Sequence, residues 1–355
     1  MDVNRTLSWT ISNLSVRIPS YNSNLSVPSY NSLAHLNSAQ IATLVICTVS
    51  VLFNGFLLAM YVVEPQLRSG FSVYLISLAG SNFLSAVLQN PLVVAIKDII
   101  TNQQASLLCG FQLTLRTATV AFMAVCHALM CFNRLWAILQ PHSYRRRHTR
   151  QLALAICVGT YTAILLFIVP AVAIDAGYPR SVLLNQWCNL NQAIPGLRQW
   201  NAAFNVLFMV TPEVLIVASC PLILCRRRRM QRVRAKQPAA QPTADSNSPS
   251  ATESTRRGGG AVTGGNGMNS RTRRSQHSVR ILIVLTSSVV VCWTPMNAYY
   301  LMPSLVNDQN LYRTANILKM LHSAIDPLLF MAAMDDLRGF CMRRLKLTPT
   351  FPMFR

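Results

Sequence analysis

The chain has 355 residues, 52% of them hydrophobic and 12% charged, with a mean hydropathy of +0.33. Soluble domains carry roughly 25% charged residues, so half that share argues for a lipid environment and against a soluble enzyme. A net charge of +21 suits a nucleic-acid binder, but the basic residues are placed for a membrane instead.

Residues 1–40 are polar and hold three N-glycosylation acceptors, Asn4-Arg5-Thr6, Asn13-Leu14-Ser15 and Asn24-Leu25-Ser26, with none downstream. They mark one extracellular tail. The segment has no apolar h-region, so the first span, not a cleaved signal peptide, is expected to direct insertion. Seven long apolar runs follow, at 41–63, 71–96, 107–132, 152–174, 202–225, 279–302 and 311–333. Each approaches or exceeds the ~20 residues a helix needs to cross a bilayer, and a helix satisfies its own backbone hydrogen bonds there. Asn82, Arg116, Glu213 and Asp326 interrupt these runs. Facing lipid they would be costly, so they are expected to point into a bundle.

With the N-terminus outside, the inner pieces are the 1–2, 3–4 and 5–6 loops and the C-terminal tail. Of the 32 Lys and Arg, only Arg5, Arg17, Lys97, Arg116, Arg180, Arg198, Arg313 and Lys319 fall elsewhere. That is the positive-inside pattern, and it removes the case for nucleic acid. The stretch 226–278 opens with Arg226-Arg227-Arg228-Arg229 and turns Pro-, Ser-, Gly- and Thr-rich. It reads as a disordered cytoplasmic loop whose arginines lie against anionic inner-leaflet lipids.

Eight of the ten cysteines sit within the runs or at their inner ends, as small hydrophobes. Cys109 and Cys188 face the oxidising side, which predicts a disulfide between them. In the closing segment, 334–355, Leu337, Phe340, Cys341 and Leu345 share one helical face. A short amphipathic helix on the inner membrane surface is predicted there, with Cys341 a candidate for palmitoylation. The fold class is therefore an all-α integral membrane protein: a seven-transmembrane helix bundle over 41–333, followed by that surface helix.

Several marks, in order along the runs, resemble those of rhodopsin-like G-protein-coupled receptors. The first run has Phe53-Asn54-Gly55-Phe56, similar to the family's Gly-Asn element reversed, and the second has Ser77-Leu78-Ala79-Gly80-Ser81-Asn82, with Asn in place of the family's Asp. The third carries Cys109 and then Asn133-Arg134-Leu135 with Ala137, Ile138 and Pro141, similar to Asp-Arg-Tyr-x-Ala-Ile-x-x-Pro. The fourth keeps Pro170 without the usual Trp, and the fifth has Pro212. The sixth holds an intact Cys292-Trp293-Thr294-Pro295, and the seventh ends Asp326-Pro327-Leu328-Leu329-Phe330, resembling Asn-Pro-x-x-Tyr.

The resemblance implies a plasma-membrane receptor that binds an extracellular ligand and signals through heterotrimeric G proteins, with arrestin as a further partner. It implies no cofactor and no enzymatic activity. Asn82, Asn133, Arg134, Trp293, Pro295, Asp326, Pro327 and Phe330 would carry activation and G-protein coupling, with Arg134 reaching the G protein once the sixth span swings outward. Arg116 lies 18 residues before Arg134, five full turns, so the two share a helix face about 27 Å apart.

Departures from the family pattern carry expectations of their own. Asn133 stands where an acid restrains the arginine, so raised basal activity is expected. Cys220 and Phe330 replace two tyrosines of the active state, which works the other way. Asn82 and Asp326 resemble an exchanged sodium-site pair, and Met123 removes an oxygen ligand, so sodium modulation is expected to be weak and no metal site is singled out. His127, His322 and Ser323 read as isolated packing or hydrogen-bonding residues.

By the same carry-over the ligand pocket includes Arg116, Gln89, Gln112, Val120, Phe204 and Asn205. Phe208, Trp293, Asn297, Tyr300, Tyr312 and Asn316 complete it. Arginine would repel a protonated amine, so the ligand is expected to carry an anionic group held by Arg116, unless Arg116 pairs with backbone carbonyls instead. Three other readings compete with this one. A non-signalling or decoy seven-helix protein fits the altered motifs. A transporter would show repeats, and none is found. A retinal pigment would need its lysine seven residues before Pro327, where Met320 stands and Lys319 is one residue off.

Overall fold

The computed structural model describes residues 38–92, 104–178, 188–236, 266–301 and 309–344, with backbone alone over 226–236 and 266–282. The three glycosylation acceptors, Asn4, Asn13 and Asn24, lie outside these residues.

Every regular element among the described residues is a helix. The helices are α1 (Ser38–Val63), α2 (Gly70–Leu84), α3 (Gln104–Leu139), α4 (Pro141–Arg147) and α5 (Arg150–Ala176), then α6 (Leu197–Asn205), α7 (Thr211–Lys236), α8 (Asn266–Leu301), α9 (Gln309–Ala333) and α10 (Asp335–Arg344). α3 is the axial element and packs on α2, α5 and α7, while α8 pairs with α9 and with α7.

By length and apolarity, five described spans can cross a bilayer: Gln40–Val63, Gly70–Leu92, Leu108–Leu139, Arg150–Ala176 and Leu197–Ile223. A sixth is counted if Asn310–Ala333 and Leu337–Arg343, bent by 90°, are taken together. The remaining expected run lies on α8, whose 36 residues extend for about 54 Å at 1.5 Å per residue.

The burial pattern inverts that of a soluble protein. Leu166 is 71% exposed and Val62 70%, whereas Asn54 is 0% exposed and Asp326 2%. Apolar side chains outside and polar ones inside are what a lipid surround selects, as the interrupted runs predicted.

Both π-helical turns have a readable cause. Ser85–Gln89 and Val206–Val210 come just before Pro91 and Pro212. A proline ring clashes with the carbonyl four residues back, and widening the preceding turn relieves the clash. The backbone N–H groups of Asn90 and Thr211 then bond five residues back, to Ser85 and Val206.

Helix runs on past Cys225 to Lys236 and begins again at Asn266, which shortens the loop read at 226–278 from both sides. Residues 226–236 contain neither Gly nor Pro and are mostly Arg, Met, Gln, Ala and Lys, all good helix formers. Residues 237–265 lie outside the described set.

α10 turns sharply from α9, and Leu337, Phe340 and Cys341 are buried. The Cys341 thiol lies 3.3 Å from the sulfur of Met60 and 3.5 Å from that of Met331.

Candidate functional site

The Cys109 end of α3 is tied to the loop before α6. Cys109 and Cys188 are disulfide-bonded, with their Cα atoms 5.3 Å apart. Cys188 adopts a left-handed backbone, φ 42°, a conformation a β-carbon disfavours and the surrounding bonds hold in place. Arg116 Nη2 donates to the Cys188 carbonyl at 3.3 Å and to Asn189 Oδ1 at 3.0 Å. On α5, Asp175 Oδ1 accepts from the Asn191 backbone N–H at 3.0 Å. Gly196, at φ 85°, then reverses the chain into α6.

The expected pocket residues fall into separate groups. Arg116 acts electrostatically on Lys319 and Tyr300, and Tyr299 packs on both Tyr300 and Tyr312. These residues form one cationic and aromatic cluster toward the Cys109 end of α3. Gln112 is buried, with neither amide heteroatom hydrogen-bonded among the described residues. Gln89 bonds Asn90 and Thr119 at 3.0 and 3.2 Å.

Phe204 and Phe208 pack against Phe167 of α5, away from the cationic group. Asn205 donates to its own helix, at Asn201, and Asn316 to the Met320 sulfur. Val120 is buried in the core. Asn297 and Thr294 on α8 both donate to the Glu213 carboxylate on α7. Glu213 therefore has a structural partner set that its isolation in the sequence did not suggest.

A polar core runs beneath. Asn54 donates to the carbonyls of Ser50 and Ser323, each at 2.9 Å, and Asn82 Nδ2 donates to Asp326 Oδ2 at 3.3 Å. The exchanged pair read in the sequence is thus in contact. His127 and His322, read there as isolated, are not. Each imidazole has a nitrogen within 3.4 Å of the Asp326 carboxylate, and Trp293 Nε1 donates to His322 Nδ1 at 3.2 Å. His322 and Asp326 are four residues apart, one helix face, and that spacing was the available signal. His127, on another helix, offered none.

At the opposite end of α3, Asn133 bonds away from Arg134. Its Nδ2 lies 2.6 Å from His148 Nε2, and its Oδ1 accepts from the Tyr144 hydroxyl at 3.0 Å. The Arg134 guanidinium carbon sits 3.6 Å over the Phe71 ring, a cation–π contact. Its Nε is buried without a hydrogen-bond partner among the described residues. Phe330 is buried in the core, while Pro295 and Pro327 lie inside α8 and α9.

Fold and site together define a multi-pass membrane protein: a helical bundle with a polar interior and one helix joining a cationic and aromatic cluster at one end to a buried arginine at the other. The sequence pattern of the 7 transmembrane receptor (rhodopsin family) matches residues 53–330. The chain belongs to that family, whose members are receptors rather than enzymes. No curated protein matches the chain.

Proposed function

We propose that the protein is a plasma-membrane receptor that binds an anionic extracellular ligand and activates heterotrimeric G proteins, with appreciable basal output. The N-terminus would be extracellular, and the sequons at Asn4, Asn13 and Asn24 would carry glycans. The observation that supports the ligand class is the outer cluster. Arg116 and Lys319 place two cations within electrostatic reach of each other. Arg116 already donates to the Cys188 carbonyl and to Asn189 Oδ1, the backbone pairing that competes with this reading. An incoming carboxylate or phosphate would take over those bonds while relieving the repulsion.

Basal output is supported at the inner end. Asn133 is engaged with His148 and Tyr144, and among the described residues no carboxylate pairs with Arg134. Arrestin and anionic inner-leaflet lipids are the further partners of this reading. α10 would lie on the inner surface, and lipidation of Cys341 would require its thiol to turn away from Met60 and Met331.

The test is G-protein activation in cells across all Gα classes, comparing wild type with Arg134→Ala at matched surface levels. Wild-type output that the variant abolishes is expected. Equal output in both proteins refutes the coupling role, and silence in both favours the decoy reading.

A further inference from the structure

We propose that His127, His322 and Asp326 form a binding site for a transition-metal dication of the zinc class, buried in the middle of the bundle. His127 comes from α3, and His322 and Asp326 from α9. All three are at most 2% exposed, and their donor atoms lie within 4.8 Å of one another.

The spacing is that of metal ligands. His127 Nε2 is 3.3 Å from Asp326 Oδ2, and His322 Nε2 is 3.4 Å from Oδ1. In a tetrahedral site with bonds of about 2.0–2.1 Å, neighbouring donors stand about 3.3–3.4 Å apart. The two imidazoles approach different oxygens of Asp326, so a rotation of the carboxylate that presents one oxygen to both completes the set. With all donor atoms within 4.8 Å of one another, the remaining His–His edge needs a closure of up to about 1.5 Å, within reach of ring rotations.

At 3.3 and 3.4 Å these are ion-pair distances, long for hydrogen bonds. His127 Nε2 and His322 Nε2 are both buried without a hydrogen-bond partner among the described residues, and so is Asn82 Oδ1. Buried polar atoms in native proteins are ordinarily satisfied. Here three of them surround one carboxylate, and a cation at their centre satisfies all at once. Asn82, whose amide already touches Asp326, supplies the fourth ligand through its oxygen or through a water.

Two imidazoles and one carboxylate make a borderline-soft donor set that selects Zn²⁺, Co²⁺, Ni²⁺ or Cu²⁺. Mg²⁺ prefers oxygen ligands, and Na⁺ likewise gains little from imidazole nitrogen. A small cavity borders the site and is lined by His127, Glu213, Trp293, Met209, Ile216, Val289 and Ala124.

Occupancy also has a consequence for α8. Trp293 Nε1 donates to His322 Nδ1, which places the ring proton on Nε2. A metal on Nε2 moves that proton to Nδ1, where it opposes the indole N–H, and the bond is lost. The metal therefore joins α3 to α9 while it releases Trp293 of α8.

The experiment uses full-length protein purified in detergent and needs no signalling readout. Zn²⁺ is expected to raise Tm by several degrees at saturation, with Na⁺ and Mg²⁺ ineffective. Co²⁺ is expected to give visible absorption of tetrahedral strength that Zn²⁺ displaces. His127→Leu and His322→Leu are expected to weaken both responses by about 100-fold or more, whereas His142→Ala, on exposed α4, keeps them. If a variant does not fold, displacement of Co²⁺ by Zn²⁺ in the wild type still decides. The proposal is overturned if wild type shows no zinc shift and no cobalt band, if the variants respond like wild type, or if Na⁺ or acid alone reproduces the shift.

Discussion

His148 is held by a set of small accommodations. Its ring stacks on Tyr144 at 4.7 Å, and its Nε2 meets Asn133 at 2.6 Å and the Tyr74 hydroxyl at 3.4 Å. Gly70 makes the room, since a β-carbon there would sit 2.7 Å from the ring. Burial holds the imidazole below its usual pKa of 6.5, so the folded state favours the neutral ring. That contribution is complete above the unfolded-state value and is lost as pH falls through the lowered one. The neutral Nε2 accepts the Asn133 N–H, and the protonated ring cannot. Acidification from about pH 7.5 to 5.5 is therefore expected to lower Tm, with a smaller slope in His148→Phe. Identical slopes in the two proteins would refute the assignment.

Among the elements, α7 and α8 are joined through a carboxylate. The Glu213 carboxylate takes bonds from Thr294 and Asn297, beside Pro295 inside α8. Hydrogen bonds to a charged group contribute about 1.5–3 kcal/mol each, and the donors left behind would be costly in lipid surroundings. Glu213→Leu is expected to cost about 2 kcal/mol, seen as a clear fall in Tm of the purified protein. A variant as stable as wild type would show that the contact is incidental. The prolines at 91 and 212 act at the same scale, each widening the turn before it.

Across the whole molecule, α3 links the two surfaces as a single 36-residue helix. Arg116 contacts the loop before α6 through Cys188 and Asn189, and Arg134 sits against Phe71 at the opposite end. Their roles are expected to separate on mutation. Arg116→Ala should lower the potency of an anionic agonist by at least about tenfold while leaving basal output in place, whereas Arg134→Ala removes output and keeps ligand binding. Dose–response curves together with radioligand binding distinguish the two, and equal potency in Arg116→Ala would refute the anionic-ligand reading.

Much of the fold was legible in the residues. The lipid surround followed from long apolar runs and scarce charge, the Cys109–Cys188 pair from its place on the oxidising side, and the family from motifs ordered along the helices. Helical periodicity shows which face of a helix is polar, but not which neighbouring helix that face meets. The rotation and depth of each helix come from packing against the others. Only the tertiary structure could therefore bring His127 to Asp326, set Glu213 against Thr294 and Asn297, and turn Asn133 toward His148 instead of Arg134. Each of those contacts joins polar groups whose burial is tolerable only because another segment supplies the partner.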